Sequence, residues 1–457
     1  MERVCFLQTF RSKLEESLLG ESSSTNFIWL GNFETEAFWK DKDSLSLPSF
    51  TQDKSQNLIN DLGELMLLLA DQSDMVLLNN LPDLDFLQYL KNLGLKLPTI
   101  LYNGNSQDKS LTQCFLDNSK NLQRLKQWAA ENPSFLVPHG TSDLEERLSE
   151  ITGIPLALPS ANICSKVNSK IYSRKICDKY NIRQPKGKVI LSLKELSDSY
   201  YNLCQSGHSP SFIVKEANGV SGKGIIKIND DKQFKQVYRI LESSSIKKQM
   251  NALDLIIEEW IEKEADLHYQ FLIYRTGKVE MINILPSIVN NGVHTGHIHP
   301  HSFSDEVVNK IEQTATLIGK ELYENGYYGV VGVDGLIDKE GILYPCLEVN
   351  ARFNMSTYHN KVLNEVLPNN VTTLEKSVHF KYKGYLSFHT FNTLVSDLLF
   401  YKGSRAGIMI NTFASVNSNI SETKSSLRRL YITVIGESYQ DCIKLESQFK
   451  TRLDTFE

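Results

Sequence analysis

Two neighbouring stretches of the chain are the most informative about its architecture: Gly332-Val-Asp334-Gly-Leu-Ile-Asp338 and Leu343-Tyr-Pro-Cys-Leu-Glu348-Val-Asn350-Ala-Arg352-Phe-Asn354. Their apolar patterns predict two adjacent strands. Side chains two residues apart in a strand lie on one face, so Glu348 and Asn350 share a face. If Asp334 lies opposite them, three oxygen ligands converge, a set that suits Mg²⁺ holding nucleotide phosphates. The competing interpretation is a solvent-facing strand pair with a salt bridge among these groups.

A glycine-rich loop joins two further predicted strands in Ser211-Phe-Ile-Val-Lys215-Glu-Ala-Asn-Gly219-Val-Ser221-Gly222-Lys223-Gly224-Ile-Ile-Lys-Ile228. Glycines let the backbone approach a phosphate closely, and Ser221 and Lys223 add a hydroxyl and a charge. The loop matches neither G-x-x-x-x-G-K-[ST] nor a G-x-G-x-x-G that opens a helix. Because a strand follows Gly224, we predict a hairpin flap over phosphates, with an ordinary flexible hairpin as the alternative. Lys215 is a candidate phosphate ligand, since an unpaired charge at the end of an apolar strand is costly.

An apolar strand that changes abruptly to acidic residues lies between these motifs: Leu253-Asp-Leu-Ile-Ile-Glu258-Glu259-Trp260-Ile261-Glu262-Lys-Glu264-Ala-Asp266. We interpret it as a hinge between two lobes. Its backbone could bind an adenine edge, and one of its acids could bind ribose hydroxyls. Strands that end in a solvated acidic turn are common, so this motif indicates little alone.

These three motifs, in this order and at these distances, resemble those of ATP-grasp enzymes over about residues 165–360. The resemblance implies an ATP-grasp fold of the α/β (α+β) class, an N-terminal pre-ATP-grasp α/β domain, and ATP and Mg²⁺ as cofactors. It also implies site residues: Lys170 and Lys215 on the phosphates, with a catalytic role for Lys215; Gly219, Ser221, Gly222, Lys223 and Gly224 in the flap; Glu258, Trp260 and Ile261 in the hinge; Glu264 at the ribose; and Asp334, Glu348 and Asn350 as metal ligands.

Two positions depart from the patterns of this superfamily. Relatives of D-alanine–D-alanine ligase have an arginine two residues before the first metal carboxylate, where this chain has Gly332. Arg352 matches the arginine that follows E-x-N in biotin-carboxylase-like members. We predict that Arg352 supplies that charge as a catalytic residue, because its planar guanidinium can hold a carboxylate or an oxyanion. The ribose acid stays open among Glu262, Glu264 and Asp266.

Composition and charge limit the class of protein. The 457 residues, with 41% hydrophobic and 23% charged residues, are typical of a globular chain of about three domains. A net charge of −5 argues against a dedicated nucleic-acid binder. The seven cysteines lack C-x-x-C spacing, so we expect a reducing, cytoplasmic location. We expect no membrane segment, because the apolar runs are too short and the N-terminus lacks a signal-peptide pattern.

The secondary-structure pattern suggests the boundaries of four predicted segments, and the resemblance implies what each of them is. They are an α/β pre-ATP-grasp-like domain at 1–155, an ATP-grasp small lobe with linker helix and flap at 156–265, a large lobe with the metal strand pair at 266–380, and a mixed C-terminal segment at 381–457. Helices are predicted over 62–69 and 165–180, among others. The role of the last segment is not indicated by the sequence.

Four of the ten histidines lie between His294 and His301. His297, His299 and His301 would share one face of a strand, so a transition-metal site, a substrate contact and an ordinary polar loop are all open interpretations. The absence of an adjacent acidic or cysteine residue counts against the metal site.

The leading functional hypothesis is an ADP-forming ATP-grasp ligase in specialised metabolism, such as antibiotic biosynthesis. It would activate an amino-acid or peptide carboxylate as an acyl phosphate and join it to an amine. A carboxylate–thiol ligase that loads an amino acid onto an acyl carrier protein is an alternative, and no residue separates the two. A non-catalytic nucleotide-binding regulatory protein is a third hypothesis, against which the complete set of lysines and metal ligands argues. The oligomeric state stays open, and a homo-oligomer is compatible with the sequence.

Overall fold

The computed structural model describes residues 9–20, 25–40, 43–48, 56–104, 109–206, 211–219, 224–290, 293–418, 420–421 and 424–456. The strands are β1 (Asn26–Leu30), β2 (Met75–Leu78), β3 (Thr99–Tyr102), β4 (Ser134–Pro138), β5 (Gly187–Ile190), β6 (Phe212–Glu216), β7 (Ile225–Ile228), β8 (Leu255–Glu259), β9 (Lys263–Ile273), β10 (Val279–Asn290), β11 (Val293–His299), β12 (Gly329–Asp338), β13 (Leu343–Asn350), β14 (Thr372–Tyr382), β15 (Gly407–Thr412) and β16 (Ser426–Gly436).

The α-helices are α1 (Phe10–Leu19), α2 (Gln56–Asp61), α3 (Leu84–Asn92), α4 (Leu111–Leu116), α5 (Ser119–Glu131), α6 (Asp143–Thr152), α7 (Ala161–Val167), α8 (Lys170–Tyr180), α9 (Leu193–Ser206), α10 (Asp231–Lys248), α11 (Asp305–Glu324), α12 (Thr357–Glu365), α13 (Phe388–Val395) and α14 (Tyr439–Leu453). Helices pack on both faces of the N-terminal sheet, and α9 and α10 pack on one face of the second sheet. Within the described ranges, no helix has the length and apolar character needed to cross a bilayer.

The N-terminal sheet is parallel, with strand order β3-β2-β1-β4. Strand β2 is buried along its whole length, and β1 is buried from its second residue onward. Short, wholly apolar strands of this kind are expected where helices cover both faces of a parallel sheet. The predicted α/β character of the first segment is confirmed.

The second sheet is antiparallel, with strand order β5-β8-β6-β7. Alternate residues of β6 and β8, such as Val214 and Ile257, pack with α9 and α10 in one apolar core. The intervening residues therefore face the other way. Lys215 and Glu258 are among them, so the period of two turns both charges away from the core.

The third sheet has eight strands in the order β13-β12-β9-β10-β11-β14-β16-β15. The C-terminal residues supply β15 and β16, so this segment extends the sheet that carries the metal strand pair. The same region is held to the N-terminal segment by the fully buried Glu64, which accepts hydrogen bonds from Thr412, Phe413 and Ala414. Burial raises the pKa of Glu64 to about 7, although these hydrogen bonds oppose the rise.

Two predicted helices differ from the observed structure. Residues 62–68 form a 3-10 helix rather than an α-helix. The predicted helix over 165–180 is broken into α7 and α8. At the break, the Asn168 side chain donates to the carbonyl oxygens of Cys164 (2.8 Å) and Ala351 (3.1 Å), and the Lys170 amide donates to the Ala217 carbonyl (2.9 Å). These long-range contacts place Lys170 in the first turn of α8.

Candidate functional site

The metal strand pair has the register that the sequence pattern requires. Strands β12 and β13 are antiparallel, with Asp334 directly opposite Glu348 and Gly332 opposite Asn350. The Asn350 side-chain amide donates to Asp334 Oδ2 over 3.0 Å. Two carboxylates and an amide therefore meet on one face of the large sheet.

A lysine and a histidine of the protein itself contact the two carboxylates. Lys170 Nζ lies 2.7 Å from Glu348 Oε1, and His268 Nδ1 lies 2.7 Å from Asp334 Oδ1. Such a concentration of hard, negatively charged oxygens is the chemistry that Mg²⁺ prefers, so Asp334, Glu348 and Asn350 fit this ion. In the described part of the chain, no group of three or more His, Cys, Asp or Glu side chains is arranged to hold a metal. The His297–His301 transition-metal interpretation therefore gains no support.

A buried ion cluster lies beside the second sheet. Glu258 on β8 pairs with Lys215 on β6 and accepts a hydrogen bond from Arg174 Nη1 over 3.1 Å. This is how the charge of Lys215 is satisfied at the end of an apolar strand. The Glu258 side chain is thus engaged with two cations, a role that sequence reasoning about the hinge did not foresee. A small cavity between α8, β6, β8 and β13 is lined by Lys170 and by all three members of this cluster.

The hinge connects β8 to β9 through Trp260 and Ile261. Trp260 donates from Nε1 to Glu262 Oε1 (2.8 Å), and Lys227 Nζ lies 4.1 Å from the centre of the tryptophan ring. Of the three candidate ribose acids, Glu262 is thus engaged by Trp260, Asp266 pairs with Lys263, and Glu264 is exposed. The assignment of Glu264 to the ribose stays a prediction.

The flap is an antiparallel hairpin, as predicted. Lys215 is paired with Ile225 across β6 and β7, and the Glu216 amide donates to the Gly224 carbonyl over 2.8 Å. Gly224 has a φ of +72°, and a Cβ there would lie 2.8 Å from the Glu216 carboxylate, so glycine suits this turn. The predicted flap residues Ser221, Gly222 and Lys223 lie outside the described residues.

Lys170 joins the flap to the metal strand pair. Its buried Nζ donates to the Gly219 carbonyl oxygen over 2.7 Å and also contacts Glu348. One ammonium group therefore touches the base of the flap and the candidate metal ligand Glu348. Binding of nucleotide phosphates beside Lys170 stays a prediction.

Arg352 follows the end of β13 and lies beside the metal strand pair. Its Nη2 donates to Asn350 Oδ1 over 3.0 Å, and its guanidinium also pairs with Glu36. Burial lowers the pKa of Arg352, but Glu36, with smaller contributions from Glu348 and Asp334, more than offsets this and raises the pKa above its ordinary value. Sequence reasoning missed Glu36, which is 316 positions away in the N-terminal segment.

Comparison with known proteins agrees with this geometry. A model described as "Pre ATP-grasp domain" matches residues 63–154, and a model described as "ATP-grasp domain" matches residues 177–353. The chain belongs to the ATP-grasp superfamily. The second match includes Lys215, Glu258, the metal strand pair and Arg352, whereas Lys170 lies shortly before it.

Two named relatives match parts of this ATP-grasp chain. The "[Butirosin acyl-carrier protein]--L-glutamate ligase" of Niallia circulans is 25% identical over 324 residues, which cover 70% of this chain and 71% of the relative. The carbamoyl phosphate synthase large chain of Myxococcus xanthus (strain DK1622) is 25% identical over 207 residues, 44% of this chain but only 18% of the relative. The family match and the ligase relative identify the protein as an ATP-dependent ligase.

Solved structures share the fold of this ATP-grasp ligase. A biotin carboxylase complex from Campylobacter jejuni has a TM-score of 0.55 at 14% identity, covering 92% of this chain and 89% of that one. An L-amino acid ligase from Bacillus licheniformis has a TM-score of 0.53 at 12% identity, covering 94% and 98%. At these identities the likeness shows the fold alone, and the predicted ATP-grasp fold is confirmed.

The two lysines provide a first test of the nucleotide site. Lys170→Ala and Lys215→Ala are each expected to weaken ATP binding by ~10- to 100-fold, because a charge-assisted hydrogen bond to phosphate contributes about 1.5–3 kcal/mol. Isothermal calorimetry measures the affinity, and thermal unfolding reports the fold. Lys235→Ala is the matched control, because Lys235 lies on α10 of the same lobe and its ion pair with Asp231 is exposed. Two lysine variants with unchanged affinity would show that these side chains are structural.

Proposed function

We propose that this ligase activates the carboxylate of an amino acid or small peptide as an acyl phosphate, with release of ADP, and joins it to an amine in specialised metabolism. The observation that carries the proposal is the double contact of Lys170 with Glu348 and with the Gly219 carbonyl. The contact supports the proposal because a γ-phosphoryl group transferred beside Lys170 would lie close both to Gly219 at the base of the flap and to the candidate metal ligand Glu348.

The proposed chemistry has two steps. A carboxylate oxygen attacks the γ-phosphorus of ATP. The bond between the γ-phosphorus and the oxygen that bridges it to the β-phosphate breaks, and ADP leaves. The amine then attacks the carbonyl carbon, and inorganic phosphate leaves as the amine gives up a proton. Mg²⁺ bound by Asp334, Glu348 and Asn350 would neutralise phosphate charge. Lys170 and Lys215 would add positive charge, and Arg352 would face the oxygen that becomes negative in the second step.

A second candidate acceptor is the phosphopantetheine thiol of an acyl carrier protein. It is favoured by one observation, the similarity over 70% of this chain to a relative named as an acyl-carrier-protein–L-glutamate ligase. The first step would be the same, and the thiol sulfur rather than an amine nitrogen would attack the acyl phosphate.

A single assay format tests the function and separates the acceptors. The full chain is incubated with ATP, Mg²⁺ and L-amino acids, singly and in pairs, with and without a holo-acyl carrier protein. We expect ADP release that depends on a carboxylate. An amide product indicates an amine acceptor, whereas an increase in the intact mass of the carrier indicates the thiol. Release of AMP, or ADP release that no carboxylate stimulates, would contradict the proposal.

A further inference from the structure

Arg174 is a buried charge that the proposed mechanism does not use. It lies on α8 four residues after Lys170, so both side chains project from the same face of that helix. Its guanidinium donates from Nη1 to Glu258 Oε2 and from Nη2 to the Pro185 carbonyl oxygen, each over 3.1 Å. These two bonds hold Arg174 against the segment that precedes β5 and against the end of β8.

Glu258 is shared between Arg174 and Lys215. Lys215 on β6 is opposite Ile256 on β8, two residues before Glu258, so the lysine and the glutamate lie on one face of the second sheet. Lys215 Nζ pairs with Glu258 Oε1, and Arg174 pairs with Oε2, so each carboxylate oxygen has its own cation. The three side chains carry two positive charges and one negative charge, which leaves one positive charge in excess.

This excess charge is shielded from solvent. The side chains of Arg174 and Glu258 are 7% and 8% exposed, and that of Lys215 is 14% exposed. All three line the cavity that Lys170 also borders. A buried charge without a counter-ion is costly, so one positive charge in excess favours an anion as the occupant of this cavity. A nucleotide phosphate is an anion of this kind.

Arg174 changes what Lys215 can offer to such a phosphate. Without Arg174, Lys215 would be the sole partner of Glu258, and a phosphate beside it would meet a neutral ion pair whose carboxylate repels it. If Lys215 turned to the phosphate instead, Glu258 would be left as a buried, unpaired carboxylate, which is strongly unfavourable. With Arg174 in place, Glu258 keeps a cation in either case. The charge of Lys215 therefore remains available to the phosphate.

We propose that Arg174 is a positioning residue of the nucleotide site: it balances the charge of Glu258 and thereby leaves Lys215 available to a phosphate group of ATP. The inference rests on the proposed function, which uses ATP, and adds a residue that acts without touching the nucleotide. It follows that the importance of Arg174 for ATP binding depends on the charge of Glu258. A residue that only fastened α8 to Pro185 would matter equally with and without that charge.

The test is a double-mutant cycle on nucleotide affinity. The full chain is titrated with a non-hydrolysable ATP analogue and Mg²⁺ in a calorimeter, as the wild type, Arg174→Ala, Glu258→Gln and the double variant. We expect Arg174→Ala to weaken binding by ~10-fold or more in the wild-type protein, but by less than ~3-fold in the Glu258→Gln protein. Arg174→Lys should keep most of the wild-type affinity, because lysine can still balance Glu258 although it lacks the fork that also binds Pro185.

Thermal unfolding and a control variant separate charge balance from folding. Lys175→Ala, at an exposed position on the same helix, should keep the wild-type affinity. Arg174→Ala and the double variant both lose the bond to Pro185, so a defect that arises from the helix would be the same in both backgrounds. If Arg174→Ala does not fold, Arg174→Gln takes its place in the cycle, since glutamine is neutral but can still donate a hydrogen bond. An equal loss of affinity in both backgrounds, or an unchanged affinity in the wild-type background, would overturn the inference.

Failure of this inference and failure of the proposed function give different results. Carboxylate-dependent ADP release without the expected dependence on Glu258 would overturn the inference and leave the function standing. The expected cycle without carboxylate-dependent ADP release would support the inference and contradict the function. If the wild type does not bind the ATP analogue, the inference is wrong.

Discussion

Glu348→Gln and Asn350→Ala are each expected to abolish carboxylate-dependent ADP formation. Glu348 lies opposite Asp334, and Asn350 donates to the same Asp334 carboxylate. Glu348→Gln therefore removes the negative charge of one candidate metal ligand, and Asn350→Ala removes the side-chain oxygen of another. Bound metal supplies several kcal/mol of charge stabilisation to phosphoryl transfer, so its loss corresponds to a rate decrease of ~10³-fold or more. The measurement is ADP release at saturating Mg²⁺, with ATP in excess.

The two variants differ in their effect on the surrounding structure. Glu348→Gln also removes the ion pair with Lys170, whereas Asn350→Ala leaves that pair in place. Thermal unfolding should show both proteins folded, because the Glu348 side chain is partly exposed and Asn350 lies at the strand end. Glu340→Gln, in the exposed turn of the same hairpin, is the matched control and should be fully active. Wild-type turnover by either metal-site variant would show that the strand pair is assigned wrongly.

The β12–β13 strand pair and the hairpin flap could be predicted from the sequence, because each is formed by residues close together in the chain. The period of two in β13 places Glu348 and Asn350 on one face, and the short turn to β12 brings Asp334 opposite. The hairpin flap followed in the same way from a strand, a glycine-rich loop and a second strand. Helix propensity was less reliable: the break at Asn168 depends on a hydrogen bond to Ala351, 183 positions away.

Contacts between distant segments could not be predicted. Glu36 and Arg352 become neighbours only when distant segments fold together, and no local pattern marks this acid. The C-terminal residues likewise gave no sequence signal for their role. The structure shows that β15 and β16 complete the eight-stranded sheet, with β16 paired to β14 along its whole length.

Arg352→Ala is expected to slow ligation by ~10²-fold, because a preorganised cation at a developing oxyanion typically supplies on the order of 3 kcal/mol. Gly332 stands where related ligases have an arginine, and Arg352 is hydrogen-bonded to the metal-ligand candidate Asn350. The defect should appear in kcat or in the KM for the carboxylate, with ATP affinity little changed. Arg352→Lys should stay impaired, since lysine keeps the charge but lacks the planar fork that binds Glu36 and Asn350 together.

Removing Arg352 also leaves Glu36 without its cation, so a loss of activity could arise from the fold rather than from the chemistry. The double variant Glu36→Gln/Arg352→Ala removes both charges and should recover stability in thermal unfolding, because an unpaired, largely buried carboxylate is costly. Its ligation rate should stay as low as that of Arg352→Ala. Glu36→Gln alone keeps the Arg352 guanidinium and its hydrogen bond to Asn350. We therefore expect it to be far more active than Arg352→Ala or the double variant. A double variant that recovers activity together with stability would show that Arg352 acts only as a structural partner of Glu36. Normal kinetics in Arg352→Ala, or a defect confined to ATP binding, would also exclude the catalytic role.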